Sequence, residues 1–246
     1  MYNFSGRIVA VTGAAKGLGA TVAKRFLEEN ADKVALLDLN ETMLNETIKE
    51  IDPSGQRTLG LACDVSDAGA VEKAFEKIFE KFGRVDILIN NAGITRDSMA
   101  KKMTMEAFDS VVKISLNGAF YCTRQVIEGM RERGWGRIIS LSSLAAFGNI
   151  GQSNYSAAKA GLIGMTRTLA LELGPQNITV NCIAPGIVNT DIIKTIPEKQ
   201  LADMLSKIPL RRAGEPEEVA SLAVFLASGE AAYISGQCIK LTGGLN

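Results

Sequence analysis

Tyr155 and Lys159 stand four residues apart in the run Asn154-Tyr155-Ser156-Ala157-Ala158-Lys159. In a helix that spacing places a phenol and an ammonium on one face, one turn apart. A free tyrosine titrates near pKa ~10, too high for proton transfer at neutral pH. A neighbouring cation favours the phenolate and draws that value down. Tyr155 is therefore a candidate acid–base group, provided the rest of the chain brings a substrate to it. A bare Tyr-x-x-x-Lys also arises by accident on solvent-facing helices, so the pair needs support from its surroundings.

The sequence contains no histidine. That excludes Ser-His-Asp and Cys-His nucleophilic catalysis and most catalytic zinc sites, and no metal site is expected. Proton chemistry falls to Tyr, Lys, Ser or carboxylates. The cysteines, Cys63, Cys122, Cys182 and Cys238, lack CxxC spacing and lie in apolar neighbourhoods. They read as buried free thiols in a reducing compartment. Lys+Arg and Asp+Glu both number 27, a balance that gives no footprint for nucleic acid. Residues Met1 to Arg7 lead straight into a short apolar run. This resembles neither a signal peptide nor a membrane-length segment, so a soluble, cytoplasmic protein with no membrane partner is expected.

The elements that would position the pair follow from the apolar pattern. The 246 residues are 46% hydrophobic, enough for one large α/β core. Strands are expected at 7–12, 33–38, 58–63, 85–89, 137–143, 178–183 and 238–241, each a short apolar, β-branched run. Helical patterns alternate with them: one after Gly19, with Val22, Phe26 and Leu27 on one face, one over 67–82, a long one over 104–133, the Tyr155 helix to about 173, and one from Pro216 to Ala227. Strands apolar on both faces imply a doubly wound parallel seven-stranded sheet covered by helices, in a single domain over 1–246. The segment 187–212, with two prolines and mixed polarity, reads as a mobile substrate lid.

In such a sheet ligands bind at the carboxyl ends of the strands. The loop Gly13-Ala14-Ala15-Lys16-Gly17-Leu18-Gly19 lies between the first strand and helix, where small residues and free helical N–H groups suit a pyrophosphate. Its spacing, G-x-x-x-G-x-G, differs from the usual G-x-G-x-x-G. Asp38 closes the second strand 19 positions past Gly19. A carboxylate there suits the hydroxyls of an adenosine ribose and repels a 2′-phosphate; capping the next helix is the alternative. Asp38 favours NAD(H), while the cation of Lys16 leaves NADP(H) possible. Asp64, Asn91, Ser143 and Pro185-Gly186 each follow an expected strand, and so share one rim with the glycine loop.

Together, Thr12 to Gly19, Asn90-Asn91-Ala92-Gly93, the Ser143/Tyr155/Lys159 set and Pro185-Gly186 resemble the classical short-chain dehydrogenase/reductases, in order and over nearly the whole chain. The text is most similar to the 3-oxoacyl-[acyl-carrier-protein] reductase-like branch, through Asn91 to Asp97, Tyr155 to Gly164, Phe225 to Ser228 and Tyr233 to Gly236. The resemblance implies that Tyr155 exchanges a proton with the substrate oxygen while hydride moves to or from a nicotinamide. Lys159 would lower the tyrosine pKa and hold the nicotinamide ribose, and Ser143 would bind the substrate carbonyl. Gly13, Lys16, Gly17, Leu18 and Gly19 would line the pyrophosphate. Asp64 and Val65 would meet the adenine, and Asn91, with Ala92 and Gly93, the ribose side. Pro185, Gly186, Val188 and Thr190 would lie along the nicotinamide.

Two departures from the family pattern stand out. In Ser115-Leu116-Asn117-Gly118-Ala119-Phe120 the register places Ser115 where the family has a relay asparagine; Asn117, two residues on, falls on another face. The distance from Ser143 to Tyr155 is 12 positions, and 13 from Ser142, where the family commonly has 13. The register of the strand from Arg137 favours Ser143, with the shortening in the loop near Phe147-Gly148.

The expected activity is interconversion of a ketone and a secondary alcohol, the substrate being a 3-oxoacyl/3-hydroxyacyl thioester by resemblance. An NAD-dependent dehydrogenase of a sugar, polyol or hydroxysteroid is the alternative, and a non-catalytic dinucleotide-binding regulator is the alternative of another class. An acyl carrier would want basic residues at the mouth; these are limited to Arg131, Arg133 and Arg137, for which a solvated helix end is the alternative reading. The resemblance also implies a homotetramer built on the two long helices.

Overall fold

The computed structural model describes residues 2–190, 193 and 197–245. The described strands are β1 (Ile8–Thr12), β2 (Lys33–Asp38), β3 (Thr58–Ala62), β4 (Ile87–Asn90), β5 (Gly136–Leu141), β6 (Ile178–Pro185) and β7 (Cys238–Leu241). They form one sheet in the order β3-β2-β1-β4-β5-β6-β7, and every pairing is parallel. β1, β4, β5 and β6 are buried along their length, as strands covered on both faces must be.

The helices are α1 (Gly17–Glu28), α2 (Glu41–Ile51), α3 (Ala68–Phe82), α4 (Met105–Val112), α5 (Gly118–Arg133), α6 (Ser153–Leu173), α7 (Glu198–Ser206) and α8 (Pro216–Ala227). Alternation along the strands divides the core into two layers. Val9, Val11, Val34, Leu36, Ile87 and Ile89 pack with Val22 and Phe26 of α1 and Val219 and Ala223 of α8. Ala10, Ala35, Leu37, Leu88 and Val180 pack with Phe75 of α3, Val126 of α5 and Leu169 of α6 on the other face. The chain winds outward from β1 to β3 and then returns to β4. The crevice at the carboxyl ends of β1 and β4 is thus the switch point where such folds seat ligands.

Two elements differ from the sequence expectation. The region 104–133 is not one regular α-helix: Thr104 caps α4, with its hydroxyl accepting from the Ala107 N–H at 3.1 Å. A π-helical turn, Lys113–Asn117, then joins α4 to α5. One extra residue per turn does not disturb an apolar pattern enough to be read from it, and such turns gather at functional sites. The segment 187–212 contains α7, and Val188 bridges to Gly214. Within this expected lid, residues 191, 192 and 194–196 lie outside the described residues.

Candidate active site

The glycine loop is built by conformation and by close approach. Gly13 and Gly17 have φ of +63° and +57°, the left-handed region that favours glycine. A Cβ on Gly13 would sit 2.8 Å from the Ala92 Cα, and one on Gly19 would run into the Gly13 carbonyl oxygen. α1 starts at Gly17; among the described residues no side chain caps it, and no acid lies in its first turn. Its first N–H groups and positive dipole end are therefore available to an anion, and the loop fits a dinucleotide pyrophosphate.

Asn91 acts on this loop from the end of β4. Its Nδ2 donates to the Thr12 carbonyl at 3.0 Å and the Gly13 carbonyl at 2.8 Å. Thr12 Oγ1 in return accepts from the Asn91 and Ala92 N–H groups at 3.1 Å. Asn91, expected beside a ribose, thus has its amide nitrogen engaged in holding the loop. Asp38 is tied to the same loop: Oδ2 accepts from the Ala15 N–H and Oδ1 from the Asn40 N–H, each at 3.0 Å. It does not cap α2, because Asn40 does so, accepting from the Met43 N–H at 3.0 Å. Beside the loop a cleft of about 440 Å³ mixes Lys16 and Lys24 with Glu46, Glu50 and Glu217.

Asp64 is exposed after β3, accepting from the Ser66 N–H at 2.9 Å. Val65 follows Asp64 past the end of β3. Its side chain is buried in the core, where a Cβ on Gly118 would meet its Cγ2 at 2.9 Å; only its backbone is left to face a ligand. On the other flank, Pro185 ends β6, and the Gly186 N–H donates to the Leu241 carbonyl at 2.9 Å. Val188 is buried, and Thr190 is half-buried with its N–H bonded to the Val188 carbonyl at 2.8 Å.

The start of α6 is anchored by Asn154, a residue that the sequence pattern did not single out. Fully buried, its Nδ2 donates to the Arg96 and Ala107 carbonyls at 2.9 and 3.1 Å, and its Oδ1 accepts from the Tyr155 N–H at 2.7 Å. That fixes Tyr155 between the 94–104 loop and the end of β5. Ser143, just past β5, lies beside the Tyr155 side chain, near enough to act on its titration, while its Oγ accepts from the Ala145 N–H at 3.1 Å. Ser142 points elsewhere, donating to the Lys159 carbonyl at 2.8 Å.

Lys159 is buried, with its ammonium 5.5 Å from the Tyr155 ring centroid and donating to the Leu141 carbonyl at 2.6 Å. Burial draws Lys159 down to about 8. Burial pushes Tyr155 up from its ordinary value, the neighbouring Ser143 hydroxyl works against this, and Asp97 adds to the rise. The shift runs opposite to the lowering expected from the lysine, and desolvation of the phenol is its largest cause. Gly93 marks where the groups converge: a Cβ there would stand 3.2 Å from Ser115 Oγ and 3.3 Å from Lys159 Nζ. Ser115 is buried, and among the described residues its hydroxyl finds no partner.

The structure thus gathers Ser143, Tyr155, Lys159, Ser115 and Gly93, with Asn91 joining them to the glycine loop. The arginine cluster lies elsewhere. Arg137 is buried near the start of β5 and stacks on Trp135 at 4.5 Å, and Arg133 Nε is 3.5 Å from the buried Asp86. This is the amino-terminal end of the strands, opposite the Tyr155 rim, so these arginines do not border the mouth. Among the described residues no set of His, Cys, Asp and Glu could hold a metal ion, and no helix is long and apolar enough to cross a membrane.

A family model described as enoyl-(acyl carrier protein) reductase matches residues 13–246. The 3-oxoacyl-[acyl-carrier-protein] reductase FabG of Thermotoga maritima is 41% identical over 241 residues, covering 98% of each chain. The Escherichia coli protein of that name is 39% identical over 244 residues, covering 99% of this chain and 98% of its own. The (2S)-[(R)-hydroxy(phenyl)methyl]succinyl-CoA dehydrogenase subunit BbsD of Thauera aromatica is 39% identical over 238 residues, 97% of this chain and 96% of its own.

Proposed function

This chain belongs to the short-chain dehydrogenase/reductase family, and on that footing we propose that it reduces 3-oxoacyl thioesters to 3-hydroxyacyl thioesters with NADH. It is an oxidoreductase that interconverts a ketone and a secondary alcohol with a nicotinamide cofactor. The thioester reading draws on relatives named for acyl-carrier-protein and CoA esters.

The observation that carries the mechanism is the convergence of Ser143 on the Tyr155 phenol, with the buried Lys159 ammonium 5.5 Å from its ring centroid. Ser143 holds the substrate carbonyl oxygen, and Tyr155 donates its proton to that oxygen. The nicotinamide, when bound, supplies the hydride that reaches the carbonyl carbon. A tyrosine kept protonated by burial is suited to act as the acid in this direction. The Lys159 ammonium stabilises the phenolate that Tyr155 becomes. Ser115, beside Lys159, holds a water that returns the proton, in place of the longer asparagine of the family pattern.

Gly13, Lys16, Gly17, Leu18 and Gly19 would hold the pyrophosphate on the α1 N-terminus. Asp38 would hold the adenosine ribose, Asp64 and the Val65 backbone the adenine, and Ala92 and Gly93, positioned by Asn91, the middle of the dinucleotide. Pro185, Gly186, Val188 and Thr190 would border the nicotinamide. The Asp38 carboxylate opposes a 2′-phosphate, and the mixed charges of the neighbouring cleft offer that group no uniformly positive wall. This favours NAD(H) over NADP(H). The same carboxylate also suits the reverse direction, NAD-dependent oxidation of a 3-hydroxyacyl-CoA, the second reading.

The protein is further read as a cytoplasmic homotetramer, with residues 1–246 as one domain. Free thiols at all four cysteines are in keeping with a reducing compartment. On α5 and α6, Phe120 and Leu171 are exposed along with the small residues Ala157, Ala160 and Gly164, a surface suited to close helix packing. The substrate test is NADH and NADPH oxidation against acetoacetyl thioesters and a set of cyclic ketones. Fastest turnover is expected for a thioester with NADH. Preference for a cyclic ketone would overturn the thioester reading, and preference for NADPH the role of Asp38.

A further inference from the structure

We propose that Cys182 and Cys238 are a modification site, closing into a reversible intramolecular disulfide when the protein meets a hydroperoxide. Nothing in this chemistry depends on the reaction at Tyr155. The two residues are direct register partners on the adjacent parallel strands β6 and β7, and the Cys182 N–H donates across the ladder to the Gln237 carbonyl at 2.8 Å. Paired positions point to the same face of a sheet, and neighbouring strands lie about 4.8 Å apart. That falls inside the roughly 4.4–6.8 Å between Cα atoms that a disulfide spans. The register therefore sets the two thiols side by side on one face of the sheet.

The two thiols divide the work. Cys182 is fully buried, and Cys238, the first residue of edge strand β7, is half-buried and within reach of solvent. The neighbouring Cys182 lowers the Cys238 thiol, with burial opposing and the cations Arg167 and Lys240 assisting. Cys238 in turn raises Cys182, as does burial. Cys238 is therefore the thiolate nucleophile and Cys182 the resolving thiol. Cys63 and Cys122 are buried; burial pushes Cys63 up to about 11 and raises Cys122 as well. They are the unreactive pair.

The chemistry balances with a hydroperoxide as the two-electron oxidant. The Cys238 thiolate attacks one peroxide oxygen, the O–O bond breaks, and Cys238 becomes a sulfenic acid as water (or an alcohol) leaves. The Cys182 sulfur then attacks the Cys238 sulfur, the S–O bond breaks, and its oxygen leaves as water with the Cys182 proton. Each sulfur gives up one electron overall, and an added dithiol reverses the step. The bond would tie together strands that continue into Pro185-Gly186 and Thr242-Gly243, which already touch, since a Cβ on Gly186 would be 3.2 Å from the Thr242 Cα.

The test exposes the full-length protein to hydrogen peroxide, blocks the remaining thiols, and maps peptides by mass spectrometry. Trypsin places the two residues on separate peptides. The expected result is a cross-linked pair two hydrogens lighter than its parts, reversed by dithiothreitol, with Cys63 and Cys122 still alkylated. In Cys182→Ala, Cys238 is expected to stop at a sulfenic acid trapped by dimedone. Intact thiols at both positions, a Cys238 link between two molecules, or oxidation of Cys238 to sulfinic acid in the unmodified sequence would each overturn the proposal.

Discussion

Lys159 is sealed from solvent beside a phenol, and its charge state governs how the neighbouring acid behaves. With the ammonium drawn down to about 8 by burial, its charge is lost as pH rises through that value. Reduction is therefore expected to run at a constant kcat below pH ~8 and to fall above it, measured by NADH oxidation across pH 6–10. A rate that climbs through this range would contradict the assignment. The same shift acts on stability. An unfolded lysine titrates near ~10.4, so between about 8 and that value the unfolded chain holds a proton the folded chain has released. This group's contribution to stability rises with pH across that window and is least favourable below it.

Ser115 gives a second test at the residue scale. Its buried hydroxyl has no hydrogen-bond partner among the described residues, so Ser115→Ala removes an unsatisfied group and is expected to leave the melting temperature unchanged or higher. As a relay position, acting through a water rather than on the substrate, it should lower kcat about tenfold, less than the roughly 10²- to 10⁴-fold of a group that transfers the proton directly. An unchanged rate would remove Ser115 from the mechanism. The spacing of Tyr155 and Lys159, and the strand register of Ser143, made the group legible in the sequence. The direction of the tyrosine shift was not legible, because desolvation depends on what covers the phenol. Nor was the engagement of Asn91, whose partners are backbone carbonyls of Thr12 and Gly13 nearly eighty residues away along the chain.

Among elements, the β1–loop–α1 unit was readable because glycines at close spacing between an apolar strand and an amphipathic helix are the mark of a phosphate-binding turn. The proposed preference for NAD(H) is tested at the end of β2. Asp38→Asn keeps an acceptor for the Ala15 N–H while removing the charge. It is expected to raise the ratio of kcat/KM for NADPH over NADH by about tenfold, roughly one pairwise charge interaction at intermediate dielectric. An unchanged ratio would mean that Asp38 serves only to hold the loop. The helical region 104–133 was legible as helix but not in its detail. The π-helical turn at Lys113–Asn117 sets which residue faces Lys159, and a periodicity averaged over many residues does not register it. The inward turn of the Val65 side chain was not legible for a related reason: it depends on the room that Gly118 leaves for it.

At the scale of the molecule, apolar runs on both faces gave the parallel sheet, while the strand order that opens the β1/β4 crevice came from the structure. The site forms because every motif follows the carboxyl end of a strand. The arginines at 131–137 were misjudged because linear proximity does not tell one end of a sheet from the other; Arg137 begins β5 and Ser143 follows it. The exposed small face of α6 predicts assembly. Ala160→Arg places a bulky cation where Ala160 is exposed in the single chain, and is expected to convert a tetramer to smaller species by light scattering. A wild-type protein that is monomeric at micromolar concentration would contradict that reading. The central claim is that Tyr155 donates the proton in a nicotinamide-dependent ketone reduction. Its most direct test compares wild type and Tyr155→Phe in NADH-dependent conversion of acetoacetyl-CoA to 3-hydroxybutyryl-CoA, with NADH affinity measured alongside. The account predicts stoichiometric conversion by wild type and a rate about 10²- to 10⁴-fold lower in the variant, with NADH binding retained; a Tyr155→Phe protein as fast as wild type would contradict it.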